Sequence, residues 1–161
     1  MVQRAFLYVE IILTGLYNRN YYEKALMILD KEEFHPISVI ACDLDELKKV
    51  NDSWGHHAGD MLLKECANLL KKSVRNSDIL ARIGGDEFFI IMPKTDEQMV
   101  AKVIERIYHN INVYNDSHRL PIRISIGFST GIDKSKSLSE ILKEADRRMY
   151  AVKRMKEMQG I

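Results

Sequence analysis

Apolar residues recur with two periods along the chain, and their succession predicts a mixed α/β fold. Spacings of three and four residues, which place apolar side chains on one helix face, predict helices at 21–34, 58–70, 95–111 and 138–155. Continuous or alternating apolar runs predict strands at 37–42, 78–82, 88–92 and 121–130. Gly84-Gly85 joins the second and third strands and indicates a β-hairpin. We therefore expect a sheet with helices packed over its faces.

The composition is that of one globular domain, with 161 residues, 46% hydrophobic and 29% charged. Lysine plus arginine total 24 and aspartate plus glutamate 23, and this balance gives no bulk attraction to nucleic acid or to an anionic membrane. No segment reaches the roughly 20 apolar residues that span a bilayer. Cys42 and Cys66 lie among apolar neighbours and fit reduced, buried thiols.

Residues 1–12 are mildly apolar but carry Arg4 and Glu10 and lack a signal-peptide cleavage site. We interpret them as a helical lead-in from an upstream module, and residues 13–161 as the domain itself. The predicted location of this segment is the cytoplasm, which is compatible with a longer protein tethered to a membrane.

Acidic residues stand at two predicted strand ends. Asp43 and Asp45 follow the first strand, and Asp86 and Glu87 follow the glycine pair at the hairpin tip. If the hairpin lies beside the first strand, Asp43 and Asp86 converge, and two converging carboxylates either repel each other or hold a divalent cation. The alternative is structural: Asp45 is an N-cap for a short helix at 46–51, and the hairpin tip is only a turn.

The sequence from Gly84 to Phe88 reads Gly-Gly-Asp-Glu-Phe, which is the signature of the GGDEF family, the diguanylate cyclases. Three other stretches resemble the motifs of this family in order and spacing. They are 13–19 (LTGLYNR), 43–60 (Asp-Leu-Asp through Gly-Asp) and 145–153 (Ala-Asp through Lys). The resemblance covers about residues 13 to 153.

This resemblance implies a fold and an activity. The fold is the palm-like fold of nucleotidyl cyclases, an α/β (α+β) arrangement whose central, mostly antiparallel sheet carries the signature on a β-hairpin. The activity is condensation of two GTP molecules into cyclic di-GMP with release of pyrophosphate. It implies dependence on Mg²⁺ or Mn²⁺ and a homodimer, because one half-site cannot cyclise the product alone.

The resemblance also assigns the reacting centre. Asp43 and Asp86 would bind the metal ions, assisted by the backbone carbonyl of Leu44. Glu87 would either ligate metal or accept the proton of the 3′-hydroxyl, and the sequence does not decide between these roles. Two cations would neutralise the triphosphate and polarise the α-phosphate for in-line attack.

GTP recognition is assigned to residues outside the metal centre. Asn51 and Asp60 would read guanine, whose edge offers donors to a carboxylate, and Leu63 would pack on the base. Without the family context, Asp60 is an acid near a helix N-terminus, and Lys153 is a lysine near a helix C-terminus or part of a solvated basic face with Arg154 and Lys156. The remaining substrate contacts are assigned to Lys48, Lys153, Gly84 and Gly85. His56 is interpreted as structural.

A second site is implied before the hairpin. Arg75 and Asp78 form the R-x-x-D motif that binds the inhibitory product in relatives, and Arg106 aligns with a further product contact. Arginine can stack on guanine and contact its N7 and O6. R-x-x-D alone is common and usually forms an ion pair at the surface.

Some positions depart from the family pattern. Ile11, Asn20 and Leu47 stand where aspartate, arginine and phenylalanine are usual, and Glu157 replaces an arginine that faces phosphate. A carboxylate there repels a triphosphate, so low turnover is expected. Two alternatives therefore stay open: a weakly active or inactive module that senses cyclic di-GMP or GTP, and a palm-fold transferase that makes another cyclic dinucleotide.

Overall fold

The computed structural model describes residues 13–161, so the predicted lead-in at 1–12 lies outside the described residues. Five α-helices, a 3₁₀ turn and four strands follow one another within this range. In chain order these are α1 (Arg19–Leu29), the 3₁₀ turn (Glu32–Phe34), β1 (Ile37–Leu44), α2 (Leu47–Trp54), α3 (His56–Ser73), β2 (Ile79–Arg82), β3 (Glu87–Met92), α4 (Glu97–Ser117), β4 (Ile124–Gly131) and α5 (Leu138–Gln159). No helix among these residues is both long and apolar enough to cross a membrane.

The four strands form one sheet in the order β2-β3-β1-β4, and every neighbouring pair is antiparallel. β1 lies in the interior of the sheet and all eight of its residues are buried, as its continuous apolar run predicts. β2 and β3 form the predicted hairpin. The expected α/β fold with a central antiparallel sheet is confirmed.

The two faces of the sheet carry different helices because side chains alternate along each strand. Ile40, Cys42 and Leu44 point into a core built with α3 and α4. Val39 and Ala41 point into a second core built with α1 and α5. Asp43 belongs by alternation to this second face, the face that α5 covers.

Helix α5 lies very close to β4, and Gly127 permits this approach. A Cβ at this position would stand 2.1 Å from the backbone nitrogen of Met149 and 2.4 Å from the carbonyl oxygen of Ala145. Both are backbone atoms, which side-chain rotation cannot move. The absence of a side chain on Gly127 therefore permits the short distance between α5 and β4. This short distance also determines where Lys153 lies, one turn beyond Met149.

The first predicted helix differs from the structure. The segment 21–34 was expected to be continuous, but α1 ends at Leu29 and a separate 3₁₀ turn follows. Asp30 leaves the helical conformation (φ −77°, ψ 57°), and its carboxylate accepts a hydrogen bond from the backbone N–H of Leu138. The break occurs because Asp30 binds the first residue of α5, a contact that periodicity does not reveal.

Two strands begin later than predicted, and local hydrogen bonds explain both differences. Asp78 does not enter β2, because its carboxylate accepts from the backbone N–H of Arg75. Ile122 does not enter β4, because Asn115 binds its N–H and its carbonyl through the side-chain amide.

Candidate active site

The strand register brings the predicted acids together. Asp43 pairs with Glu87 on β3 and with Ser125 on β4. The N–H of Leu44 donates to the carbonyl oxygen of Asp86 at 2.8 Å, so the hairpin tip is bonded to the end of β1. The backbones of Asp43 and Asp86 are therefore close together, and the sharing of a cation by their carboxylates stays a prediction.

A partly buried ion pair lies at this point. Lys153 donates to Oδ1 of Asp43 at 2.7 Å, and the Asp43 side chain is 6% exposed. Burial raises the pKa of Asp43 to about 6; Lys153 opposes this shift, whereas the charges of Asp86 and Asp45 add to it. Burial also opposes the charge on Lys153, but the hydrogen bond to Asp43 and the three acids raise its pKa. The raised pKa of Asp43 therefore follows first from burial and then from the neighbouring acids, whereas the raised pKa of Lys153 follows from its bond to Asp43 and from the charges of the same acids.

Asp45 has a different role from the one predicted. Its Oδ1 accepts from the Ser125 hydroxyl at 2.8 Å, and its Oδ2 accepts from Lys156 at 2.9 Å. Its side chain is thus committed to β4 and α5, whereas the N-cap of α2 is Glu46. The prediction of Asp45 as a helix cap is wrong, because tertiary partners take both of its oxygens.

The C-terminal lysines are correspondingly not part of a solvated face. Lys153 and Lys156 are 26% and 29% exposed, and they pair with Asp43 and Asp45 respectively. They are three residues apart, and this spacing places them on one side of α5. The interpretation of these lysines as a solvated basic surface is wrong for both.

The start of α2 is an anion-binding geometry. Glu46 adopts the left-handed conformation (φ 60°, ψ 20°) and is followed by helical Leu47, and its side chain makes no capping hydrogen bond. Successive residues of opposite hand form a concave group of backbone N–H donors. Glu46 is not glycine, so this conformation costs about 1–2 kcal/mol. Lys48 lies in the first turn with an exposed side chain.

The hairpin tip is held by a residue that the sequence did not single out. Arg82 donates to the carbonyl oxygen of Gly85 through Nε at 3.2 Å and through a terminal nitrogen at 2.8 Å. Burial lowers the pKa of Arg82, while the charges of Asp60 and Asp86 favour its charged form. Arg82 therefore connects the hairpin tip electrostatically with α3.

The two glycines of the hairpin have different surroundings. A Cβ on Gly85 would meet nothing within 4 Å, so Gly85 presents open backbone. A Cβ on Gly84 would lie 3.2 Å from Oε2 of Glu87, so the Glu87 carboxylate folds back over Gly84. Neither glycine has a positive φ, so the backbone conformation itself does not require glycine at either position.

The predicted guanine-reading residues lie on α2 and α3. Oδ1 of Asn51 is buried and has no hydrogen-bond partner within residues 13–161. Asp60 is exposed and is the fifth residue of α3, which begins at His56. Leu63 is 4% exposed and belongs to the core under α3. Its predicted contact with a base stays a prediction.

The sequence matches a known protein family over nearly its whole length. The sequence model described as "Diguanylate cyclase, GGDEF domain" matches residues 12–159. The chain belongs to the GGDEF family. Among curated relatives, the probable diguanylate cyclase DgcT of Escherichia coli is 33% identical over 147 residues, covering 88% of this chain and 32% of DgcT. Diguanylate cyclase DgcS of Shewanella oneidensis is 33% identical over 144 residues, covering 88% of this chain and 48% of DgcS.

Solved GGDEF structures share the fold. Diguanylate cyclase SiaD of Pseudomonas aeruginosa, in complex with its activator SiaC, superposes with a TM-score of 0.85 at 26% identity, covering 96% of this chain and 61% of SiaD. The GGDEF domain of DgcB from Caulobacter crescentus, in complex with c-di-GMP, has a TM-score of 0.81 at 27% identity and coverage of 91% for both chains. The chain thus spans a third to a half of the curated relatives named above and nearly all of an isolated GGDEF domain.

The donor set at the end of β1 fits a hard divalent cation. No cluster of three His, Cys, Asp or Glu side chains that would form a complete metal cage is present in 13–161. Mg²⁺ does not require one, because it binds through one or two carboxylates and completes its shell with water and substrate phosphate. Asp43, which is bonded to Lys153 and whose charge interacts with that of Asp86, matches that requirement.

The R-x-x-D segment of this GGDEF domain is tied to its surroundings. Arg75 donates to Asp78 at 3.3 Å and to the hydroxyl of Thr95 at 2.7 Å, and the Asp78 side chain is fully buried. Arg106 donates through Nε to the carbonyl oxygen of Ser73 at 2.9 Å, which joins α4 to the end of α3. The motif therefore forms a partly buried ion pair, and both arginines have protein partners in this structure.

Sequence reasoning missed Arg82, and it gave Lys156 and Asp45 the wrong roles. A usable signal existed for the last two. Asp43 and Asp45 are two residues apart at a strand end, and Lys153 and Lys156 are three apart on a helix, so two parallel ion pairs were a possible pattern. No comparable signal exists for Arg82, because its partner is a backbone carbonyl.

Proposed function

We propose that this chain is a diguanylate cyclase domain that condenses two GTP molecules into cyclic di-GMP and two pyrophosphates. The observation that carries the proposal is the buried Asp43 carboxylate at the end of β1, within 2.7 Å of Lys153 and joined through Leu44 to the loop bearing Asp86. The names of the relatives support it, since DgcS of Shewanella oneidensis is a diguanylate cyclase. The proposed location is the cytoplasm.

Asp43, Asp86 and the carbonyl of Leu44 are the proposed ligands of Mg²⁺ or Mn²⁺. The bound metal would neutralise phosphate charge and make the α-phosphorus more electrophilic. In each of the two transfers, the 3′-oxygen of one GTP forms a bond to the α-phosphorus of the other, and the bond to pyrophosphate breaks. Glu87, opposite Asp43 in the sheet, is the acid available to take the 3′-hydroxyl proton or to complete the metal shell.

The proposed base contacts come from α2 and α3. The unpartnered, buried Oδ1 of Asn51 is an acceptor suited to a guanine N–H, and Asp60 is an exposed acceptor on the adjoining helix. Leu63, one turn after Asp60, would pack on the base.

The proposed phosphate contacts come from the start of α2, from α5 and from the hairpin tip. The backbone N–H groups at the start of α2 and the side chain of Lys48 would bind phosphate oxygens. Lys153 would bridge Asp43 and the phosphate chain, while Gly84 and Gly85 let the backbone approach the nucleotide.

Turnover is proposed to require a homodimer. One chain presents one proposed nucleotide site, whereas the product contains two nucleotides. The 3′-oxygen of each nucleotide attacks the α-phosphorus of the other. Two copies must therefore face each other with their hairpin tips. Light scattering during turnover should detect the dimer, and activity should rise faster than linearly with protein concentration below its dissociation constant.

Regulation by product is proposed at Arg75 and Asp78, with Arg106 as a further contact. The DgcB structure, solved in complex with c-di-GMP, supports a GGDEF domain as the binding partner of this molecule. Arg75 and Asp78 both line a cavity of about 160 Å³. A guanine base bound there would take the place of the Thr95 hydroxyl as the hydrogen-bond partner of Arg75.

A turnover assay with product identification tests the function. The purified chain is incubated with GTP and Mg²⁺, and cyclic di-GMP is sought by chromatography and mass spectrometry. Asp86→Asn should abolish turnover, whereas Asp116→Asn, an exposed aspartate on α4, should leave it intact. An inactive but folded and dimeric wild-type chain would contradict the proposal. Mixed GTP and ATP in the same assay reveals any other cyclic dinucleotide.

A cyclic di-GMP or GTP sensor is the second candidate, and Glu157 is the observation that favours it. Glu157 lines the same cavity as Lys153 and Lys156, where a carboxylate opposes a triphosphate. Calorimetry separates the two candidates. Binding of cyclic di-GMP that is lost in Arg75→Ala, together with no turnover of GTP, would establish the sensor.

A further inference from the structure

A cavity of about 390 Å³ opens beside the acids at the end of β1, and its walls carry four cationic side chains from three separate elements. No residue of the hairpin tip lines it, so it extends away from Gly84 and Gly85. The four cations are Lys49 on α2, Arg123 before β4, and Lys153 and Lys156 on α5. The same lining carries three acids, Asp45, Glu46 and Glu157, so an anion such as the distal part of a polyphosphate gains most from a cation that can leave its acidic partner.

The four cations are not equally available to a ligand. Lys153 and Lys156 are mostly buried and bonded to Asp43 and Asp45. Moving either lysine would leave a buried carboxylate without its partner, which is costly. These two lysines therefore keep their positions when a ligand binds.

Arg123 is bound more loosely. It donates to Oε2 of Glu46 at 3.2 Å, and its side chain is 54% exposed. Lys49 also donates to Glu46, at 3.1 Å, and is 74% exposed. Exposed pairs of this kind contribute little to stability, so Arg123 can exchange Glu46 for another anion at little cost. Lys49 would still partner the released Glu46.

A carboxylate in the cavity lining makes an additional phosphate contact useful. Glu157 belongs to the cavity lining, and its carboxylate repels an incoming phosphate. Arg123 presents a planar fork of N–H donors that can bind a phosphate through two parallel hydrogen bonds, which a lysine cannot do. Its backbone is fixed, because the carbonyl of Arg123 accepts from the N–H of Asp45 at 2.8 Å.

We propose that Arg123 binds the terminal phosphates of the nucleotide and that Glu46 holds it at the rim of the cavity until the triphosphate displaces the Glu46 carboxylate. The inference rests on the proposed function, since it concerns the same nucleotide site. It makes Arg123 a substrate-binding residue and Glu46 the carboxylate that competes with the nucleotide for its guanidinium.

Calorimetric titration of the full chain with GTP and with GMP, each with Mg²⁺, tests this. Arg123→Ala should weaken GTP binding by about tenfold or more, because a charge-assisted hydrogen bond is lost, and should change GMP binding less than twofold. Arg123→Lys should recover part of the loss. Glu46→Gln should tighten GTP binding, because the competing carboxylate is removed. The matched control is Arg119→Ala, whose guanidinium lies over Trp54 outside the cavity and should change nothing.

The outcomes separate the two proposals. GTP binding by the wild type that is unchanged in Arg123→Ala and Glu46→Gln overturns the role of Arg123 and leaves the function intact. Equal losses for GTP and GMP overturn it as well, because they indicate a structural effect. Failure of the wild type to bind GTP overturns both. If Arg123→Ala does not fold, the Arg123→Lys and Glu46→Gln titrations decide the matter.

Discussion

Asn51 and Gly59 fit together so closely that a Cβ on Gly59 would lie 1.8 Å from Oδ1 of Asn51. The absent side chain on α3 thus provides the space in which the α2 amide is held. Since Oδ1 is buried and unpartnered among the described residues, its position depends on this contact.

Gly59→Ala should therefore weaken GTP binding about tenfold by displacing the Asn51 amide, with little loss of helix stability, since alanine favours helices. A double-mutant cycle with Asn51→Ala, read by calorimetry, is the appropriate measurement. The two substitutions should be strongly non-additive, because both remove the same contact. Simple addition of their effects would show that Gly59 does not act through Asn51.

Metal binding should weaken in acid because the pKa of Asp43 is about 6. The carboxylate must be ionised to bind metal, so Mn²⁺ affinity should be constant at pH 7–8 and should fall about tenfold per unit well below pH 6. Mn²⁺ titrated in the absence of nucleotide avoids protonation of the phosphates.

Lys153→Met provides the matched test of that pH dependence. Lys153 favours the ionised form of Asp43, so its removal should move the midpoint of the Mn²⁺ affinity profile to higher pH. Affinity that does not vary between pH 5 and 8 would show that Asp43 is not a ligand.

Gly127→Ala should destabilise the fold by about 1–3 kcal/mol, because the new methyl group meets backbone atoms of α5 that cannot rotate away. Urea unfolding measures this loss. Gly131→Ala is the matched control on the same strand, where the Cβ would meet the flexible Ile141 side chain at 2.3 Å, and the loss should be smaller. Equal losses would mean that α5 is not held by its contact with Gly127.

Thr95→Val should strengthen product binding. Arg75 now donates to the Thr95 hydroxyl at 2.7 Å, and valine keeps the shape of threonine without the acceptor. Freed of this bond, Arg75 should bind cyclic di-GMP a few-fold more tightly in calorimetry, whereas Arg75→Ala should lose binding. Unchanged affinity in Thr95→Val would mean that the bond to Thr95 does not compete with the ligand.

The elements of this fold were largely predictable because burial leaves a periodic record in sequence. β1 was evident as an apolar run, and the hairpin as two strands around Gly84-Gly85. The break after Leu29 was not predictable, because it depends on a hydrogen bond between Asp30 and a residue more than 100 positions later.

Some residues of the candidate site were likewise predictable from the sequence, and others were not. Asp43 and Asp86 were identifiable because acids at strand ends are conspicuous and matched a family motif. Asp45 was misassigned because an acid before a helix resembles a cap, and only tertiary structure shows Ser125 and Lys156 as its partners. Arg82 and Arg123 escaped notice because a lone arginine in sequence does not reveal the carbonyl or carboxylate it will meet.

The pairing of Asp43 with Glu87 across two central strands limits how this domain can evolve. A single-residue insertion or deletion within β1 or β3 would turn one of these acids onto the α3 and α4 side, where the core is apolar. Length variation is therefore expected in connections such as 118–121 and 132–137, while the lengths of these two strands should be nearly invariant among active homologues.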